Sequence, residues 1–258
     1  KTDLKPKNVS AEKYVQHFSI SPDGNRLLAE ARGDIFSLPA ENGFVKNITQ
    51  SPGFAERYPA WSPNGKQLAY WSDEGGEYNL LIKENGLAPK KITNFTSGFN
   101  YSLYWSPDSK MLAFIDKAMK IKYCDVATGK TYDIDKALYF MHGACEAFIL
   151  SWSPDSRWIA YTRDLSNFHK AAFIYDTKNK TTKQVTSGYY NIGDLVFDEQ
   201  GKYLLLTTNQ AFNPYYSDLD NSFVYGNSTQ LAAISLKNSD KSLLYTQNDT
   251  VDIKLNDK

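Results

Sequence analysis

The residues on which chemistry could rest are few: three histidines, two cysteines, and four serines that recur in one local setting. A serine nucleophile needs a base within hydrogen-bond reach and donors for an oxyanion, and no Gly-x-Ser-x-Gly elbow occurs to provide them. Ser21, Ser62, Ser106 and Ser153 each open a Ser-Pro turn at the same place in a repeated segment, which assigns them to turn geometry. His17, His142 and His169 lie in different repeats without accompanying ligand spacing, so no metal site and no catalytic residue is expected of them. His142-Gly143-Ala144-Cys145-Glu146 gathers three ligand types, but the spacing fits no standard zinc pattern and a second half is missing. Cys124 and Cys145 are too few for a disulfide framework, although one disulfide stays open. Asp73-Glu74-Gly75-Gly76-Glu77 lacks the spaced oxygens of a calcium loop and fits a hairpin tip. No cofactor is implied.

The elements that must position these residues repeat along the chain. SPDGNRLLA begins at Ser21, SPNGKQLAY at Ser62, SPDSKMLAF at Ser106 and SPDSRWIAY at Ser153, with a degenerate copy, DEQGKYLLL, at Asp198. A period of 40 to 50 residues carrying four strands' worth of sequence is the mark of an all-β propeller built from four-stranded blades. An apolar or aromatic residue (Ile20, Trp61, Trp105, Trp152, Phe197) ends a short innermost strand and is expected to pack between blades. Pro then presets φ in the turn, and an apolar second strand follows, such as Gln67 to Trp71 or Trp158 to Thr162. Third strands are expected at Asp34 to Leu38, Tyr78 to Ile82, Ile121 to Val126 and Ala172 to Asp176, with outer strands ending near positions 47–49, 91–93 and 184–186. Arg32-Gly33-Asp34 spells an integrin tripeptide but lies where the second strand must turn into the third. Apolar residues cluster in short runs rather than at helical spacing, so no helix is expected. The blades fall roughly at 14–49, 57–93, 101–135, 148–186 and 192–236, with a polar linker over 237–250 and, at 251–258, a strand of a closing blade to which Val9 to Phe18 could also contribute.

The chain of 258 residues can bury a sizeable core in one domain, and its 14% aromatic content suits strands. Balanced charge, 29 basic against 29 acidic residues, removes the broad electrostatic attraction of a nucleic-acid binder. No apolar run approaches the roughly 18 residues of a membrane helix, so neither nucleic acid nor membrane insertion is expected. The stretch Gln210 to Gly226 is a long insertion holding Phe212, Tyr215, Tyr216, Phe223 and Tyr225 with Asp218 and Asp220, a composition suited to docking a partner or to packing on the propeller.

Three strings together resemble the second propeller domain of the tricorn-type serine peptidases: Glu30-Ala31-Arg32-Gly33-Asp34-Ile35-Phe36 followed by Pro39-Ala40-Glu41-Asn42-Gly43, then Ala55-Glu56-Arg57-Tyr58-Pro59-Ala60-Trp61-Ser62-Pro63, then Trp152 to Trp158. The Ser-Pro-Asp-Gly turn is shared with TolB-like propellers and those of prolyl oligopeptidases. The resemblance implies a parent peptidase, cytoplasmic by family or exported through a removed leader, that trims oligopeptides and self-assembles. Its propellers gate peptides while the catalytic residues lie in later domains. The implied partners are therefore peptides, protein partners, the parent's other domains and further copies of the parent. The family's second propeller is seven-bladed and this chain is too short for seven, which predicts a fragment or trimmed chain. By repeat position, the residues that open the innermost strands on one face, and so would meet a peptide, are Glu56, Arg57, Asn100, Tyr101, Glu146 and Asn191. A TolB-like protein-binding propeller with no peptidase attached is the rival reading.

Overall fold

In a computed structural model of the chain, residues 12–137, 145, 147–211, 214–217 and 219–244 are described. Each Ser-Pro turn joins an inner strand to the strand beside it, and the alternation that follows folds back twice more. The first blade is β1 (Val15–Ile20), β2 (Arg26–Ala31), β3 (Asp34–Pro39) and β4 (Lys46–Asn47), paired in that order. The second is β5 (Glu56–Trp61), β6 (Gln67–Ser72), β7 (Asn79–Glu84) and β8 (Lys90–Lys91). The third is β9 (Tyr104–Trp105), β10 (Met111–Ile115), β11 (Lys120–Asp125) and β12 (Thr131–Lys136), and the fourth is β13 (Leu150–Trp152), β14 (Trp158–Asp164), β15 (Lys170–Asp176) and β16 (Thr181–Gln184). A fifth sheet has the order β17 (Ile192–Phe197), β18 (Tyr203–Thr208), β21 (Gln230–Ser235), with the hairpin β19 (Pro214–Tyr216) and β20 (Phe223–Tyr225) inserted between β18 and β21. All pairings are antiparallel. The only helical piece among the described residues is a single 3₁₀ turn at Glu12–Tyr14. His142, Glu146, Phe212, Asp218, Val9 and the Val251 to Leu255 alternation lie outside the described residues.

The repeated serine is a bracing group. The Ser106 hydroxyl donates to Asp108 at 2.6 Å and accepts the amide of Met111 at 2.9 Å; Ser21 and Ser153 make the same pair of bonds with Asp23 and Arg26 and with Asp155 and Trp158. In the fifth blade Asp198 replaces this serine and its carboxylate accepts the amide of Tyr203 directly at 2.6 Å. Arg32 and Gly33, both at positive φ, make the two-residue turn between β2 and β3, so the tripeptide there is hairpin chemistry.

The blades are joined through their faces. Trp105 and Trp152 are buried as expected, and their indole N–H groups donate to the preceding blade's inner strand, at Ala60 O (3.1 Å) and Tyr104 O (3.0 Å). Where the inner strand carries serine two places before the turn, its hydroxyl takes over the link: Ser19 accepts the amide of Trp61 and Ser151 that of Phe197. Ile20 departs from the expectation, being 61% exposed, because no described blade precedes the first. Val196 and Leu231 on the outward face of the fifth blade are likewise exposed, and no core cluster of the described residues joins the fifth blade to the first.

A second latch connects the turns. Ser109 and Ser156 hold the last turn position at φ of 61° and 60°, where the first two blades carry Gly24 and Gly65. Their hydroxyls accept the amides of Asn64 and Asp108 in the preceding blade's turn, at 3.1 and 3.0 Å. Left-handed backbone costs a non-glycine residue about 1–2 kcal/mol, and the inter-blade bond offsets it. Ser156→Ala keeps the strain and loses the bond, so it should destabilise by about 1 kcal/mol. Ser156→Gly loses both and should stay within about 0.5 kcal/mol of the parent, a ranking that urea unfolding will check.

Candidate functional site: the mouth of the inner strands

The inner strands do not run straight into the blades. In β1 two residues, Gln16 and His17, oppose the single residue Glu30; in β5 Tyr58 and Pro59 oppose Tyr70; in β17 Gly193 and Asp194 oppose Thr207. Bulges at nearly the same repeat position re-aim side chains at the strand starts, as bulges beside functional sites do. In the second blade the bulge puts Tyr58 at φ 54°.

The first two bulges meet over Glu30, which is 2% exposed. Glu30 Oε2 accepts the Tyr58 amide at 3.0 Å and lies 2.7 Å from His17 Nδ1, while Oε1 is 3.7 Å from Arg57 Nη1. A carboxylate facing a ring nitrogen at that distance sets the proton on Nδ1. Arg57 also donates through Nε to the Tyr78 hydroxyl at 3.0 Å and through Nη1 to Gln16 Oε1 at 3.3 Å. The His17 and Tyr58 rings meet at a tilt of 37° with centroids 3.9 Å apart, and Tyr58, Phe99 and Tyr101 form an edge-to-face cluster. Between β1, β5 and the segment leading to β9 lies a cavity of about 280 Å³ lined by Gln16, His17, Phe18, Tyr58, Ser102 and Leu103, among others.

Of the residues expected to open this face, Arg57 and Tyr101 stand at the cluster, with Arg57 one-third exposed. Asn100 is buried and extends the inner strand through a bridge to Asp116. Glu56 is turned inward: its Oε1 accepts from Ser51 at 2.5 Å and from Ser72 at 3.4 Å, and burial pushes its carboxyl above the usual range, partly offset by those bonds. Asn191 stands apart on the fifth blade, where it accepts the Lys170 amide at 2.9 Å and lines a 540 Å³ pocket with Gly193, Thr208 and Tyr225. Glu146 is outside the described residues. Glu30 and His17 are the members that repeat position alone did not single out; the signal was a glutamate set within the apolar run Leu27-Leu28-Ala29-Glu30-Ala31.

The other groups weighed from sequence are placed apart. His169 faces the Gly188 carbonyl in the β14–β15 turn region, and Cys124 and Cys145 are unlinked. Burial pushes the Cys124 thiol up to about 12, which suppresses thiolate formation. No group of three or more metal-ligating side chains is assembled among the described residues. Asp73 accepts the Ala55 amide at 2.7 Å and so ties the loop entering β5 to the β6–β7 turn.

Two buried carboxyls respond oppositely to pH. Asp176 is held well below the carboxylate range chiefly by Arg157, which donates to it at 2.6 and 3.1 Å, and by the amides of Lys178 and Asn179. Its stabilisation is present above the unfolded value of about 3.9 and is lost only as pH falls through the lower folded value. Glu56, raised by burial, contributes stability below about pH 4.3 that is lost as pH rises through its folded value. Asp176→Asn should therefore lower the melting temperature at pH 7 and flatten the acid limb below about pH 4, whereas Glu56→Gln should gain on the parent as pH rises from about 4 to 8; thermal melts from about pH 2 to 8 will test both signs.

The pattern matches known propellers. The model of the tricorn protease second β-propeller domain matches residues 15–258. Dipeptidyl-peptidase 5 of Porphyromonas gingivalis is 29% identical over 119 residues, covering 39% of this chain and 17% of that protein. The crystal structure of the tricorn protease superposes with a TM-score of 0.76 at 19% identity, over 88% of this chain and 22% of that one. A putative TolB from Agrobacterium tumefaciens gives 0.55 at 18% identity, over 86% of this chain and 77% of that one. The chain thus spans about a fifth of the length of either peptidase. With the bladed sheets, the Ser-Pro turns and a family match running from the first inner strand onward, the chain belongs to the family of tricorn protease second β-propeller domains.

Proposed function

We propose that this chain is a non-catalytic propeller domain of a larger peptidase and acts in substrate access, admitting peptides along the face where its inner strands begin. The observation that carries this reading is the arrangement at that face: an arginine and a histidine held by one buried glutamate, beside an aromatic cluster and an open cavity. Such a surface offers hydrogen bonds and apolar walls to an extended chain without a nucleophile to cut it. The peptidase relative and the fold of the tricorn protease support the larger setting. Hydrolysis of a mixed fluorogenic peptide panel by the purified chain and by the full gene product tests it. Turnover only by the longer protein is the expected result; comparable turnover by this chain would overturn it.

A second reading, a TolB-like platform for protein partners, is favoured by the β19–β20 hairpin. Tyr215, Tyr216, Phe223, Val224 and Tyr225 are all more than half exposed there. Deleting the hairpin and finding peptide turnover by the full gene product unchanged would separate that surface from the access role.

A further inference from the structure

We infer that the cavity between the first and second blades is a carboxylate-recognition site for peptides, with Arg57 as the anchoring group. The inference rests on the access reading and specifies what that face selects.

Arg57 is fixed rather than free to wander. Its Nε is committed to Tyr78 and its Nη1 to Gln16 and, at longer range, to Glu30, which orients the guanidinium plane. Its Nη2 makes no hydrogen bond among the described residues, and the side chain is 34% exposed. A positioned guanidinium with donors left over is suited to a planar carboxylate, because the fork matches the two oxygens. Glu30 cannot serve as the ligand's counterpart itself: it is buried and already engaged by the Tyr58 amide and His17, with Arg57 nearby. It acts as a positioning residue, joining a donor of the first blade to one of the second.

The space beside the arginine fits the rest of such a ligand. Arg57 does not itself line the cavity, but its Nη1 donates to Gln16 and the next residue is Tyr58, both lining residues, so the guanidinium borders the cavity through them. Phe18, Tyr58, Pro59, Ala60 and Leu103 give the 280 Å³ cavity its apolar walls. A carboxylate at the rim with an apolar side chain within describes the C-terminus of a peptide ending in an apolar residue. An acidic side chain inside a peptide presents the same group. The bulge that places Tyr58 at positive φ turns its amide onto Glu30, so backbone strain is retained where it assembles this site.

Fluorescence anisotropy on the full gene product will decide the matter, using a dye-labelled heptapeptide of six alanines and a final leucine. Three forms are compared: the free acid, its C-terminal amide, and the amide with glutamate at the fourth place. The free acid should bind about tenfold or more tighter than the plain amide, and Arg57→Gln should erase that preference while Arg57→Lys retains part of it, with circular dichroism and melting curves confirming that each variant is folded at the assay temperature. If the glutamate-bearing amide recovers the affinity, the site reads acidic side chains; if it does not, it reads the terminus. Either result upholds carboxylate recognition. Equal binding of acid and plain amide, or a preference that survives Arg57→Gln, overturns the inference and leaves peptide access standing. Failure of every form to bind overturns both.

Discussion

Replacing Trp71 with alanine should destabilise the protein by about 3–5 kcal/mol, a large share of the roughly 5–15 kcal/mol that a domain commands. Trp71 is 1% exposed, packs edge-to-face on Phe114 at 4.9 Å, and sits in a core that includes Leu80, Leu103, Trp105 and Leu112 from two blades. Its indole N–H donates to the Tyr101 carbonyl at 2.8 Å, so the side chain also holds the segment entering the third blade's inner strand. Trp71→Phe keeps much of the volume and loses that bond, and should cost about 1–2 kcal/mol. Denaturant unfolding monitored by circular dichroism will give both values. A phenylalanine variant as unstable as the alanine one would mean that the hydrogen bond, not the packing, dominates.

Gly129→Ala should be nearly as severe, at about 2–4 kcal/mol, through a different cause. Gly129 closes the β11–β12 turn at φ 70°, and a Cβ there would overlap the Ile92 carbonyl oxygen at the outer edge of the second blade. The turn and the neighbouring backbone would have to move apart, opening the seam between two blades. Gly86→Ala is the control: it has a similar φ of 78° but open space around it, so it should pay only the backbone term of about 1–2 kcal/mol. Equal losses for the two variants, measured by chemical denaturation, would refute the steric account.

The repeat units were legible in the sequence because their signals act over a few residues. Pro at the second turn position, a serine that bridges to the residue two places on, and an apolar run after it are local, and they recur with the strands Gln67–Ser72 and Trp158–Asp164 close to their expected limits. The same locality explains what repeat counting blurred. Glu56 and Asn100 stand one place before Arg57 and Tyr101, at a similar distance from their turns, yet both are turned into the protein, since cross-strand register decides which way a side chain points.

The sequence by itself determined the class of fold, the number of recognisable repeats, the turns, and the structural role of the repeated serines, because each depends on neighbours along the chain. Only the tertiary structure brought His17, Glu30 and Arg57 together from β1, β2 and β5, and it did so through two bulges whose extra residues are defined by pairing with another strand. A bulge is a shift in register between segments, so its physical cause lies in hydrogen bonding and burial across the sheet, which no single stretch of residues displays.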